Sequence, residues 1–340
     1  MRLLSKRLFF LQERAFVGIK YAMKKIFAAV FCLMLCLCLV FMPAFNVKSV
    51  EIEGDDGAKK VIKVYHADCV DGGKNSRGSF LKDLAKKYNK LQNDVCVIVE
   101  VYEKSELLSA VENSPPDVVS FGSGLEGMLP LLSPYCGKVN FSDEFISAVS
   151  VGGEIYAAPW SYNGYFLVGG KNGVKKSGNS PFAAAYFSDK EIVFSGDKTS
   201  SEDALQSYLS SKTPFVCSAK EVTKLLSKAE RGAIELPEIT PLSGYTDMVN
   251  VLGVCKKSEN YAESEKFIEY VTSSSGELLT RLNLFSPCIK VKYSVSPFSE
   301  YGKGKLVVKN VFDCEDIDGL AEKALGGDGN AKNALKERLK

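Results

Sequence analysis

Residues 152–170 read GGEIYAAPWSYNGYFLVGG, and the fold is decided in this stretch. Gly152-Gly153 suits a tight hairpin turn. A strand is predicted through Ile155 and Tyr156, broken by Pro159, which has no N–H to give a central ladder. The only tryptophan of the chain, Trp160, follows, then Tyr162, Tyr165 and an apolar run from Phe166 to Val168. Two extended segments joined by a rigid, aromatic Pro-Trp corner predict a crossing between two lobes. Aromatic faces at such a crossing would line a cleft.

Outward on the N-terminal side, Val61–Tyr65 reads as a buried strand and Val95–Tyr102 as a second, rich in β-branched residues. Between them Ser79 is expected to cap a helix whose Phe80, Leu84, Tyr88 and Leu91 recur on one face. A short helix over Ser105–Glu112 ends at Pro115-Pro116, and Asp117–Phe121 forms a third strand. This alternation predicts a parallel sheet with crossover helices, whose ligands bind at the carboxyl ends of the strands. The loops placed there run from Ala67 to Gly78 and from Gly122 to Gly127. They bring Asp68, Asp71 and Phe121 into the candidate ligand-binding set. Asp71-Gly72 is equally a turn signal.

On the other side, Lys171–Ser180 reads as a polar loop, with strands expected at Glu191–Phe194 and Thr213–Cys217. Helices are expected at Glu202–Leu209 and Ala219–Ala229. A return through Leu236–Leu242 continues into Tyr245–Cys255, and a helix covers Tyr261–Val271.

Composition is that of an ordinary globular protein, 46% hydrophobic and 25% charged, and 340 residues allow about two domains. The net charge of +2 conceals a division. Residues 1–49 carry eight Lys or Arg against one acid, which leaves the remainder near −5 with no basic block for nucleic acid. Lys24-Lys25 precedes an apolar run from Ile26 to Phe45, the layout of a secretory signal starting at Met23 and ending after Ala44 or Ser49. Residues 1–22 then form an upstream extension. An uncleaved membrane anchor is the alternative, because the run is long enough to span. An exported, extracytoplasmic protein is expected, with membrane association only through this segment.

Three cysteines fall in the signal region and seven beyond it, none in CxxC spacing, so no metal site is predicted and buried free thiols are expected. His66, the only histidine, lies at a strand end with no nucleophile motif around it. No catalytic residue and no cofactor is assigned. Neither GKNSRG nor GSGLEG is a Walker loop. Trp160 offers the apolar plate on which the C–H face of a sugar rests, or else packs in the core. Tyr162, Tyr165 and Tyr245 carry the same two readings.

Several stretches together resemble the extracellular solute-binding proteins of ABC importers, family 1, sugar-binding type. Gly153, Tyr156, Ala157, Pro159 and Trp160, then Gly164, Tyr165 and Leu167, match the family's crossing segment. Leu81, Leu84, Ala85, Tyr88, Asn89, Lys90, Val95, Val97 and Pro116-Asp117-Val118-Val119 match its first lobe. Leu236–Leu242 resembles its return strand, and Tyr261–Val271 with SSSGELLTRLNLFSP its following helix. The likeness covers roughly residues 61–340. Cys36 and Cys38 follow Leu35 and Leu37, which departs from the lipobox.

The resemblance implies a two-lobed, periplasmic-binding-protein-like (type II) α/β fold with a central cleft. After the signal region (1–49) and a tether (50–60), lobe 1 would hold residues 61–160 and 242–300. Lobe 2 would hold 161–241, and helices in 301–340 would pack on lobe 1. Only 65 residues separate Gly170 from Leu236, so the resemblance implies a reduced second lobe. It further implies a monomeric capture component that holds a sugar or oligosaccharide between its lobes and delivers it to ABC permease subunits. Lobe closure would turn on Gly164 and Gly244. A glycoside-acting enzyme using Asp68 or Asp71, and a sensor that kept the fold, are the alternatives.

Overall fold

The computed structural model describes residues 60–68, 76–125, 127–138, 140–170, 172–177, 194–242, 245–289, 291–294, 296–299, 306–313, 319–320, 323–324 and 326–338. The signal region, the tether up to residue 59, Asp71, Gly244, Cys69 and Cys314 lie outside them.

Strand and helix alternate as β1 (Lys60–Asp68), α1 (Arg77–Leu91), β2 (Val95–Glu103), α2 (Lys104–Asn113) and β3 (Val118–Gly122). β1 pairs in parallel with β2 and β3, because each crossover helix carries the chain back to the same end of the sheet. Helix α1 starts earlier than expected: Ser76, not Ser79, is its N-cap, and the Ser76 Oγ accepts the Ser79 N–H at 3.1 Å. Gly78 lies inside this helix because a Cβ there would sit 2.8 Å from Val101 Cγ2. The buried face is Phe80, Leu81, Leu84 and Ala85, with Tyr88 half-buried, while Leu91 is exposed, so the inward stripe stops before Leu91.

The short α3 (Asp143–Ala148) leads into a hairpin of β4 (Ser150–Val151) and β5 (Glu154–Ile155). Its turn is Gly152-Gly153 at φ +62° and +87°, the left-handed region that the glycine pair foretold. Then β6 (Ala158–Tyr162) joins the first sheet at its edge, where Pro159 is tolerated inside the strand rather than ending it. β7 (Tyr165–Val168) belongs to a different sheet, so the chain changes sheets at Asn163-Gly164.

The second sheet adds β8 (Val174–Ser177), β9 (Phe194–Thr199), β10 (Phe215–Ser218) and β11 (Ile239–Leu242), in the order β11-β7-β10-β8-β9. β8 falls in the expected polar loop. Helices α4 (Ser201–Ser211) and α5 (Ala219–Glu230) flank β10 in sequence and pack against it. From β11 the chain returns through β12 (Tyr245–Thr246) to β13 (Val249–Val254), which lies antiparallel between β3 and β6. The first sheet is thus β2-β1-β3-β13-β6.

Helix α6 (Tyr261–Ser273) covers this sheet, with Phe267 and Tyr270 against Tyr88 of α1. After α7 (Leu278–Leu282) the chain meets the crossing again: Tyr162 and Phe285 exchange backbone hydrogen bonds of 2.9 and 2.8 Å. β14 (Val307–Val308) pairs in parallel with β12, and α8 (Gly329–Arg338) follows.

Candidate functional site

The strand ends and the crossing converge on one side of the first sheet. β1 and β3 are parallel there, and β13 starts and β6 ends at the same edge because both run antiparallel to their neighbours. Polar side chains bind this joint together. Asn163 N–H donates to the Met248 carbonyl at 2.9 Å, and the Thr246 hydroxyl donates to the Asn163 carbonyl at 2.6 Å. The Asn163 Oδ1 accepts from Gly164 N at 2.8 Å and from Ala219 N, at the start of α5, at 3.3 Å. One buried amide thus ties the outgoing strand, the returning strand and a helix of the second sheet.

Beside it, the Tyr165 hydroxyl donates to Asp247 Oδ1 at 2.6 Å, and the Ser123 hydroxyl to the Asp247 carbonyl at 2.8 Å. Lys104 Nζ donates to the Ser123 carbonyl at 3.0 Å. Asp247, Ser123 and Lys104 are each half-buried, so this cluster meets solvent at the floor between the sheets. A carboxylate, hydroxyls and an ammonium in one place recognise alternating donors and acceptors, as a polyol presents them.

The residues singled out from sequence fall in different places. Asp68 ends β1 and Tyr245 opens β12, both at this edge. Asp71 lies outside the described residues. Tyr165 is held in the polar cluster.

Trp160 is wholly buried, and the aromatic-plate reading does not survive this placement. Its ring stacks on Phe80, with centroids 6.1 Å apart and planes 6° from parallel, and lies edge-on to His66. Its Nε1–H donates to Ser120 Oγ at 3.3 Å. A one-residue bulge in β6, where its pairing with β13 steps from Asn250 to Val251, leaves Trp160 opposite no ladder partner, and its ring stacks on Phe80 of α1. Phe121 has no exposed surface either and packs on Phe312. Tyr162 sits among Phe145 and Phe285, and its burial raises the phenol well above its ordinary range.

His66 is buried beneath α1, with Nδ1 3.0 Å from Ser120 Oγ and Nε2 unpartnered. Desolvation, helped by the Arg77 and Lys82 charges, holds its pKa at about 3, so the ring is neutral at physiological pH. It is a core histidine rather than the strand-end residue expected. Asn163, Asp247, Ser123 and Lys104 were missed. Asn163 had a signal, standing before Gly164 in the stretch where two apolar runs meet, but a lone aspartate or lysine in a polar segment has none.

No family model matches the chain, and no curated protein does. Solved structures do. The sugar-binding protein MalE from the phytopathogen Xanthomonas citri superposes with a TM-score of 0.60 at 12% identity, over 82% of this chain and 96% of that one. The galacto-N-biose/lacto-N-biose I-binding protein of the ABC transporter from Bifidobacterium longum gives 0.57 at 14%, over 84% and 96%. The GacH receptor of Streptomyces glaucescens, solved unliganded and with acarbose, gives 0.55 at 13%, over 82% and 96%. Identity this low speaks for architecture, and the architecture is plain: the chain has the two-lobed α/β fold of the periplasmic sugar-binding proteins.

Proposed function

We propose that this chain is the extracytoplasmic capture component of an ABC importer, holding a sugar or oligosaccharide in the cleft between its two sheets and passing it to membrane permease subunits. The observation that carries the reading is the doubly bonded joint at Asn163 and Thr246–Met248, set beside a solvent-facing polar cluster in the fold of sugar-binding proteins. Asp247, Ser123, Lys104 and Tyr165 form the floor of the site, with Asp68 at the end of β1 and Tyr245 on the returning strand.

The protein binds rather than turns over its ligand, a reading supported by the binding proteins whose fold it shares. It acts as a monomer, exported by the segment before residue 50. Lobe 1 comprises 61–162 and the chain beyond 242, lobe 2 the reduced 163–242, so the expected boundaries at 160 and 242 move outward with β6 and β11, and the C-terminal helices rest on lobe 1. Ligand closes the lobes about Asn163-Gly164 and 242–249, because it gains contacts from both walls only when they approach.

Thermal unfolding of the protein with maltose, maltotetraose, lacto-N-biose and acarbose tests this. Stabilisation should grow as RT ln(1 + [L]/Kd), about 2.7 kcal/mol at a hundredfold excess over Kd. Chromatography should recover the sugar unchanged. No stabilisation by any of these sugars, or release of hydrolysis products, overturns the proposal.

A further inference from the structure

Strand β2 is the outermost of the first sheet, and among the described residues no strand lies beyond it. It opens with Val95–Val99, VCVIV, a run rich in β-branched residues with neither charge nor proline. Alternate residues of an edge strand turn their N–H and C=O groups away from the sheet. A run of this kind with a bare edge is a template for a further strand, and best of all for the same strand of a second copy.

The edge is not bare, because the end of α1 lays two side-chain amides along it. Asn89 Oδ1 accepts the Val97 N–H at 2.8 Å, and its Nδ2 donates to the Val97 carbonyl at 2.9 Å. Gln92 repeats the pattern at Val95: its Oε1 accepts the N–H at 2.9 Å and its Nε2 donates to the carbonyl at 2.8 Å. Each amide makes the pair of bonds that one residue of an antiparallel neighbour would make. The spacing suits this. Side chains one helical turn apart stand roughly 5–6 Å from each other, and alternate residues of a strand roughly 7 Å. Val95 and Val97 are only 4% and 3% exposed although they stand at a sheet edge. Farther along β2, the exposed Glu100 and Glu103 put charge on the edge instead.

We infer that Asn89 and Gln92 stand in for a neighbouring strand and deny this edge to a second copy of the chain. Stability alone does not call for them, since water satisfies the same backbone groups at little net cost. Water gives way to an incoming strand, whereas two amides held by a helix do not. Ile98, 38% exposed on the same strand, is the side chain that such pairing would cover.

Sedimentation velocity of the full-length protein in detergent, over a wide range of protein concentration, tests it. Wild type should keep one mass throughout. Asn89→Ala with Gln92→Ala should climb towards twice that mass as concentration rises, with an intermolecular β-sheet band in the infrared. Asn89→Asp with Gln92→Glu also loses both donors, and with them stability, but leaves charge on the edge and should keep the wild-type mass. Ile98→Glu, opposite Lys63 of β1, should return the alanine pair to that mass. If the alanine pair does not fold, Gln92→Ala alone, which opens only Val95, is read in its place. A folded alanine variant that keeps the wild-type mass overturns the inference. Equal association of the Asp/Glu pair overturns it too, because lost stability is then the cause. Association that Ile98→Glu does not reverse belongs to another face and likewise overturns it.

Discussion

Replacing Trp160 separates a core residue from a ligand platform. The side chain has no exposed surface, stacks on Phe80 and donates its indole N–H to Ser120. Trp160→Ala therefore removes a large buried ring, at a cost of about 3–5 kcal/mol. Trp160→Phe keeps an aromatic face for Phe80 and loses the hydrogen bond, at about 1 kcal/mol, since Ser120 retains His66. At roughly 2–4 °C per kcal/mol for a domain near this size, the alanine variant should melt some 6–20 °C lower. Urea unfolding followed by far-UV circular dichroism gives both values. The wild-type chain adds a second readout, because its fluorescence comes from this one indole. Its emission should be blue-shifted and resist iodide. If Trp160→Ala unfolds within 1 kcal/mol of wild type, or if sugar shields the indole from iodide that otherwise quenches it, the ring faces a ligand and the packing argument is wrong.

Acid should destabilise the fold through His66. Its folded pKa lies below the ordinary 6.5, so the unfolded chain binds the proton first, and stability falls as pH drops from about 6.5 towards 3. Roughly 3 kcal/mol should be lost between pH 7 and 4.5, and His66→Gln should remove that part of the slope in urea titrations. Asn163→Ala strips the acceptor from two buried N–H groups, those of Gly164 and Ala219, and should cost about 2–4 kcal/mol. The same change should alter the lobe closure seen as a ligand-induced fall in radius of gyration. Gly153→Ala meets no neighbour within 4 Å, so only its φ of +87° matters, and the melting point should report a loss of about 1–2 kcal/mol.

The order of elements was legible in the sequence because each carries its own signal. β-Branched runs alternate with helical periodicity before residue 122, and the glycine pair marks its hairpin. β8 was not legible: VKKS has one apolar residue, and it forms a strand because β10 and β9 flank it. Side-chain direction was the larger gap. An aromatic residue next to a proline in an edge strand looks the same whether it points at solvent or under a helix. Trp160 was decided by a one-residue bulge at its own position, set by how β6 registers against β13, ninety positions away in sequence. Asp247 entered the site because the return strand passes beside Tyr165, a contact made by topology and invisible in local pattern.

The start of α5 bears on which solutes the cleft refuses. Ser218 pairs with Tyr165 across the second sheet, which puts this helix end next to the joint. A bare helix start would offer its first N–H groups, and the positive end of its dipole, to an anion. Here the Ala219 N–H is taken by Asn163, and those of Lys220 and Glu221 by the Ser218 hydroxyl. The Glu221 carboxylate, itself buried, folds back onto the Ser218 N–H at 3.2 Å. The end is already neutralised from within. On the proposed reading, a phosphorylated or sulfated solute would meet no spare donor at this helix end and a negative charge close by, so anionic sugars are expected to bind worse than neutral ones.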